Sequence, residues 1–72
     1  MTDYRLWATI GRTNAQEYPV AVYVASIDPP GDTRARTAVA RSREDALRLQ
    51  YVLASDFAFQ DGLSITESEF VQ

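Results

Sequence analysis

The 72-residue chain contains no cysteine, no histidine and no lysine. Without cysteine there is neither a disulfide framework nor a thiolate zinc site. Without histidine the commonest general base and the commonest metal ligand are both missing. With both gone, no Ser-His-Asp or Cys-His nucleophilic set can be assembled. No apolar run approaches the roughly 18 residues of a membrane-spanning helix. Glycine-rich phosphate loops and the calcium-binding EF-hand pattern are absent as well. The opening residues, Met1-Thr2-Asp3, lack the basic-then-apolar layout of a secretory signal. These absences leave a cytoplasmic, non-enzymatic protein with no metal, no cofactor and no membrane contact as the expectation.

What is present describes a folded chain. Hydrophobic residues make up 46% and charged residues 24%, with a net charge of −3. That balance is too apolar and too weakly charged for disorder. The length fits a single domain over 1–72. A core this small supplies only about 3–5 kcal/mol of stability, and no staple is available. Association with a second copy or another partner would supply the missing apolar burial.

Hydrophobic periodicity places the elements. Tyr4-Arg5-Leu6-Trp7-Ala8-Thr9-Ile10 alternates, which predicts a half-buried strand over about 4–11. Tyr4, Leu6, Ala8 and Ile10 share one face; Arg5, Trp7 and Thr9 share the other. Gly11–Glu17 is polar and reads as a loop. A second strand over 18–27 sets Val20, Val22 and Val24 against Ala21, Tyr23, Ala25 and Ile27. Both its faces are apolar, as in a central strand, and Pro19 sits at its tolerant start. Asp28-Pro29-Pro30-Gly31-Asp32 is a turn leading into a third strand over 34–41. Small residues on that strand leave room for a helix to pack closely.

Ser42 followed by Asp45 is a helix N-cap of the capping-box kind. A helix is predicted over 43–60, with Ala46, Leu49, Leu53 and Phe57 as its apolar stripe and Gly62 just beyond its end. The tail suggests a short fourth strand over 63–68, with frayed residues after it. The expected fold is α+β: a small single-layer antiparallel sheet, β-β-β-α with that fourth strand, packed on one helix. One helix cannot cover both faces of such a sheet, so a partner is expected on the other.

Candidate site residues follow from what this packing leaves over. Trp7 is out of phase with the core face and stands beside Arg5. Trp, Tyr and Arg are enriched at binding hot spots, which marks Arg5, Trp7 and Tyr23 as a protein-binding set. Val52 and Phe59 lie seven apart on the polar back of the helix and form a second candidate ridge. Asp56, Asp61, Glu67 and Glu69 supply negative potential. Gln50, inside the apolar stripe, is expected to be a buried amide bonded to the backbone. Asp28 and Asp32 flank the turn, whose geometry accounts for them without a cation.

Charge is unevenly placed. Arg34, Arg36, Arg41 and Arg43 form a basic strip with no acid inside it, between two acidic segments. One reading is an arginine-bearing strand whose charges pair with the helix and loops. The other is an anion or nucleic-acid contact strip, with Trp7 or Tyr23 stacking on a base. The sequence pI of about 4.6 runs against a dedicated nucleic-acid binder.

The hairpin followed by Ser42-Arg43-Glu44-Asp45-Ala46 resembles arm-type DNA-binding domains of integrases and antitoxins of the HicB type, over residues 18–54. The chain departs from the integrase arms in its acidic balance and its lack of lysine. Its size and acidity resemble the small accessory proteins of phages and mobile elements, anti-CRISPR proteins among them. That likeness implies a small non-catalytic protein-binding module, an inhibitor that occludes the surface of a larger protein or complex. The alternatives are a nucleic-acid-binding regulatory domain using the Arg34–Arg43 strip and a structural homodimer subunit.

Overall fold

The computed structural model of the chain describes residues 2–13 and 15–72. Met1, part of the N-terminal reading, and Asn14, within the Gly11–Glu17 loop, lie outside the described residues. The chain forms β1 (Asp3–Ile10), β2 (Tyr18–Ser26), β3 (Thr33–Ala40), α1 (Arg43–Phe59) and β4 (Ser64–Phe70). This is an α+β fold, a four-stranded mixed sheet in the order β3-β2-β1-β4 with one helix across one face.

Alternation decides which face the helix takes. Leu6 and Ala8 of β1 pair with Val24 and Val22 of β2, and all four are buried beneath α1 with Val20, Ala46 and Phe57. The valine side of β2 therefore meets the helix, and the Ala21-Tyr23-Ala25 side faces away. On β3 the register sets Arg34, Arg36 and Ala38 beside Val24, Val22 and Val20. Those arginines consequently lie on the helix side. Ala38 and Ala40 give α1 its close approach, and Ala40 and Ala46 are both buried.

Ser42 caps α1 by accepting from the Asp45 N–H at 3.1 Å. Glu44 and Asp45 occupy the first turn, where the helix dipole favours acids. At the other end Gly62, with φ +68°, takes a left-handed turn that side chains disfavour, and the Leu63 N–H reaches back to Phe57 O. The buried line on α1 is Ala46, Gln50 and Phe57, while Leu49 and Leu53 are only half-buried. The stripe is thus rotated toward Gln50 relative to the one read from spacing. Gln50 Nε2 donates to Val71 O at 3.0 Å and ties the tail to the helix.

The tail corrects the sequence reading in two respects. First, the sheet is mixed rather than antiparallel, because β4 pairs parallel to β1. Two hairpins give β3 the direction of β1, and α1 reverses the chain once more, so the next strand returns in that same direction. A parallel neighbour needs such a crossover. Secondly, the strand does not end near 68 with fraying beyond. It continues to Phe70, and the Val71 N–H still donates to Ala8 O at 2.8 Å. A bulge lets this happen. Period two puts Ile65, Glu67 and Glu69 on one side, a poor core face. The register shift between Tyr4 and Arg5 pairs Ile65 with Tyr4 but Glu67 with Arg5. Ile65, Ser68 and Phe70 then share the helix side, and Glu67 and Glu69 the open side.

Two phenylalanines two positions apart test this packing. Phe57 is 1% exposed and Phe59 is 86% exposed. Phe57→Ala is expected to cost about 3–5 kcal/mol, enough to unfold most of a domain this small. Phe59→Ala is expected to stay within about 0.5 kcal/mol. Urea unfolding followed by far-UV circular dichroism measures both.

Candidate interaction surfaces

The sheet face away from α1 is built by the odd-numbered positions of β1, β2 and β3, joined by Glu67 and Glu69 beyond the bulge of β4. Across the strands at one level stand Ala35, Tyr23, Trp7 and Glu69; at the next, Thr33, Ala25, Arg5 and Glu67. On the other side of the aromatic row come Thr37, Ala21 and Thr9. Trp7 and Tyr23 are directly opposite in the register, and their rings stack with centroids 5.3 Å apart and planes at 22°. Such a pair contributes beyond its area alone. Two shallow depressions adjoin the pair, both on the side of the Thr33-Ala25-Arg5 level. One, of about 270 Å³, is lined by Trp7, Tyr23, Thr33 and Ala35 among others; the second, of about 310 Å³, by Arg5, Trp7, Ala25 and Ile27 among others.

Charge on this face is confined to one side. Arg5 and Glu67 approach at 3.8 Å, both well exposed, a separation that contributes little in water. Arg5, Trp7, Tyr23, Glu67 and Glu69 therefore come together on one surface, with an apolar centre and an acidic margin along β4. The alternation singled out the first three. The alanines and threonines that make the face flat around them were not singled out, though the same period-two pattern carries them.

The remaining candidates lie elsewhere. Val52 and Phe59 are exposed on the back of α1. Phe59 stands at the rim of a groove of about 200 Å³ between α1 and β4, where Ala54, Ala58, Ile65 and Phe70 form part of the lining. The groove exists because α1 sits toward β3, and Tyr51 stacks on Phe70 at 4.5 Å to bridge the wider side. Asp56 is half-buried on α1. Asp61 belongs to a different cluster altogether.

That cluster occupies the helix side of the β3 edge. Arg36 donates to Asp61 at 2.6 Å, and its guanidinium lies 4.9 Å from the centre of the Phe57 ring. Arg34 donates to both Asp61 and Asp32, and the Tyr4 hydroxyl donates to Asp32 at 2.6 Å. α1 has no basic residue in its own last turn. The β3 arginines, gathered by Asp61 just past the helix, place positive charge where the dipole is negative. Arg34 and Arg36 are thus engaged within the chain. Arg43 donates to Gln72 O at 3.2 Å, and Arg41 is exposed on the loop after β3. The four arginines of the basic strip do not gather on one surface.

Arg34, followed by Tyr4, holds the Asp32 carboxyl below its ordinary pKa of 3.8, and bonding to Asp32 raises the Tyr4 phenol above 10. A depressed carboxyl stabilises the fold above 3.8, and this contribution disappears as pH falls through its folded value. Asp32→Asn is therefore expected to lower stability at pH 7, with the deficit against the parent chain shrinking as pH falls below 3.8. Urea titrations of both chains at stepwise lower pH measure this; a deficit that persists undiminished would show the pairing to be idle.

Compared with known proteins, the chain matches no family model, no curated protein and no solved structure.

Proposed function

We propose that the chain is a non-catalytic protein-binding module that docks its open sheet face on a larger protein and acts by occluding part of that protein's surface. The observation that carries this reading is the Trp7–Tyr23 stack standing on the face that α1 leaves uncovered. Aromatic anchors surrounded by small side chains supply contact area at low cost in side-chain entropy. Glu67 and Glu69 along one margin favour a partner with basic residues on the matching side, which sets orientation and speeds encounter. The arrangement suits an apolar protrusion of the partner seated in a depression beside the aromatic pair.

The engagement of Arg34 and Arg36 by Asp32 and Asp61 supports a protein partner over a nucleic acid. Phosphate recognition draws on clustered free cations, and here the aromatic face carries glutamates at its edge. The helix ridge of Val52 and Phe59 is the other candidate surface, and it lies on the opposite side of the molecule.

Trp7 is the chain's single tryptophan, so its emission reports directly on the face. With a partner captured from the source cell and purified, titration is expected to shift that emission. Trp7→Ala is expected to weaken binding by at least about 2 kcal/mol, roughly thirtyfold, and Phe59→Ala by less than about threefold. Loss through Phe59→Ala or Val52→Ala with Trp7→Ala silent would move the interface to the helix. Quenching of Trp7 by short single-stranded DNA or RNA at low salt, reversed by added salt, would replace the protein-binding reading with nucleic-acid binding.

A further inference from the structure

β3 is an outer strand, and the direction of its main-chain groups is fixed by its pairing with β2. The Ser26 N–H donates to Asp32 O at 2.8 Å, and the same register continues through Val24 with Arg34, Val22 with Arg36 and Val20 with Ala38. In an antiparallel ladder every second residue exchanges both hydrogen bonds with its opposite, and the residues between point theirs outward. Arg34, Arg36 and Ala38 therefore bond to β2. Thr33, Ala35, Thr37 and Val39 direct N–H and C=O to the free edge, and all four are exposed.

The two edges of the sheet are unlike. β4 carries a bulge and two glutamates, devices that keep an edge from pairing with another chain. β3 is eight residues long with no proline, and its pairing with β2 runs without a register shift. Its arginines turn under the sheet to Asp32 and Asp61, so its open side shows only threonine, alanine and valine.

We propose that the chain associates with a second copy of itself through antiparallel, two-fold pairing of β3 with β3, centred on Thr37. The register follows from the side chains. Centring on Thr37 sets Arg36 opposite Ala38 of the second copy and Arg34 opposite its Ala40, so each long side chain lies over a small one. Val39, 59% exposed in the single chain, gains Ala35 of the second copy as its neighbour. Centring on Arg36 instead would set the two Arg36 residues directly opposite one another, which is destabilising. Centring on Ala38 would shorten the ladder. The pairing is isologous and closes on itself. It consumes an edge and not the open face, so the Trp7–Tyr23 stacks of both copies remain on one continuous sheet surface.

Sedimentation equilibrium across a concentration series is expected to give twice the 8.1 kDa chain mass. Thr37→Pro removes an N–H that the single chain does not use, a position an edge strand tolerates. It is expected to unfold as cooperatively as the parent while the dimer dissociates at least about tenfold more readily. The chain has no other cysteine, which permits a second test. Opposed residues of a hydrogen-bonded pair lie about 5.5 Å apart at Cα, within disulfide reach. Oxidised Thr37→Cys is expected to cross-link across the two-fold axis, and Ala35→Cys, which faces Val39, is not. A mass of 8.1 kDa at every concentration overturns the proposal. So does a dimer unaffected by Thr37→Pro, or equal cross-linking by both cysteine variants. Loss of partner binding through Trp7→Ala bears on the open face alone, so the two readings fail separately.

Discussion

The structure rests on a mismatch of widths. An α-helix with its side chains is about 10–12 Å across, whereas four strands at about 4.8 Å spacing form a wider layer with two faces. One helix is enough to bury the Leu6-Ala8-Val22-Val24 centre of one face and is not enough for anything more. It settles toward β3, drawn by Ala38 and Ala40, and leaves a groove on the β4 side that Tyr51 and Phe70 close only in part. Among the described residues, no element covers the second face. The exposed Phe59, the stacked Trp7 and Tyr23 and the open β3 edge all descend from that single shortage of covering material.

Arginine supplies part of what the small core lacks. Arg36 spreads its guanidinium over Phe57 and reaches Asp61, so it shields apolar surface and ties β3 to the segment after the helix. A lysine would offer a point charge in place of the planar fork that rests on a ring and binds a carboxylate together. Asp32 collects Tyr4 from β1 and Arg34 from β3, which fastens the turn between β2 and β3 to the strand two places away. The basic strip visible in the sequence is thereby converted into internal scaffolding at one end of the helix. The acidic residues of β4 lie on the opposite face, beside the aromatics.

Gln50 shows how a polar residue can serve in the apolar layer. Its amide nitrogen satisfies the Val71 carbonyl and holds the end of β4 under the helix, while its Oε1 is buried without a hydrogen-bond partner among the described residues. The anchoring of the tail gives a physical return: β4 stays in the sheet through Phe70 and keeps Glu67 and Glu69 on the open face.

The sequence by itself determined the local elements and the inner face of β1, while both sides of β2 were open to the helix until the sheet was assembled. Alternation in Tyr4–Ile10 and Tyr18–Ile27, the Ser42 cap and the Gly62 stop are written in consecutive residues, because strand and helix periods act over a few positions. It also set Trp7 out of phase with the Tyr4-Leu6-Ala8-Ile10 face. Only the tertiary structure decided that β4 lies parallel to β1, that a bulge re-aims Ile65 and Glu67, and that Arg34 and Arg36 meet Asp32 and Asp61. Each of these depends on pairings between residues distant in the chain. Hydrophobic period carries no information about which strand edge a returning segment will find, and charge order along a sequence does not say which ions share a side of the sheet.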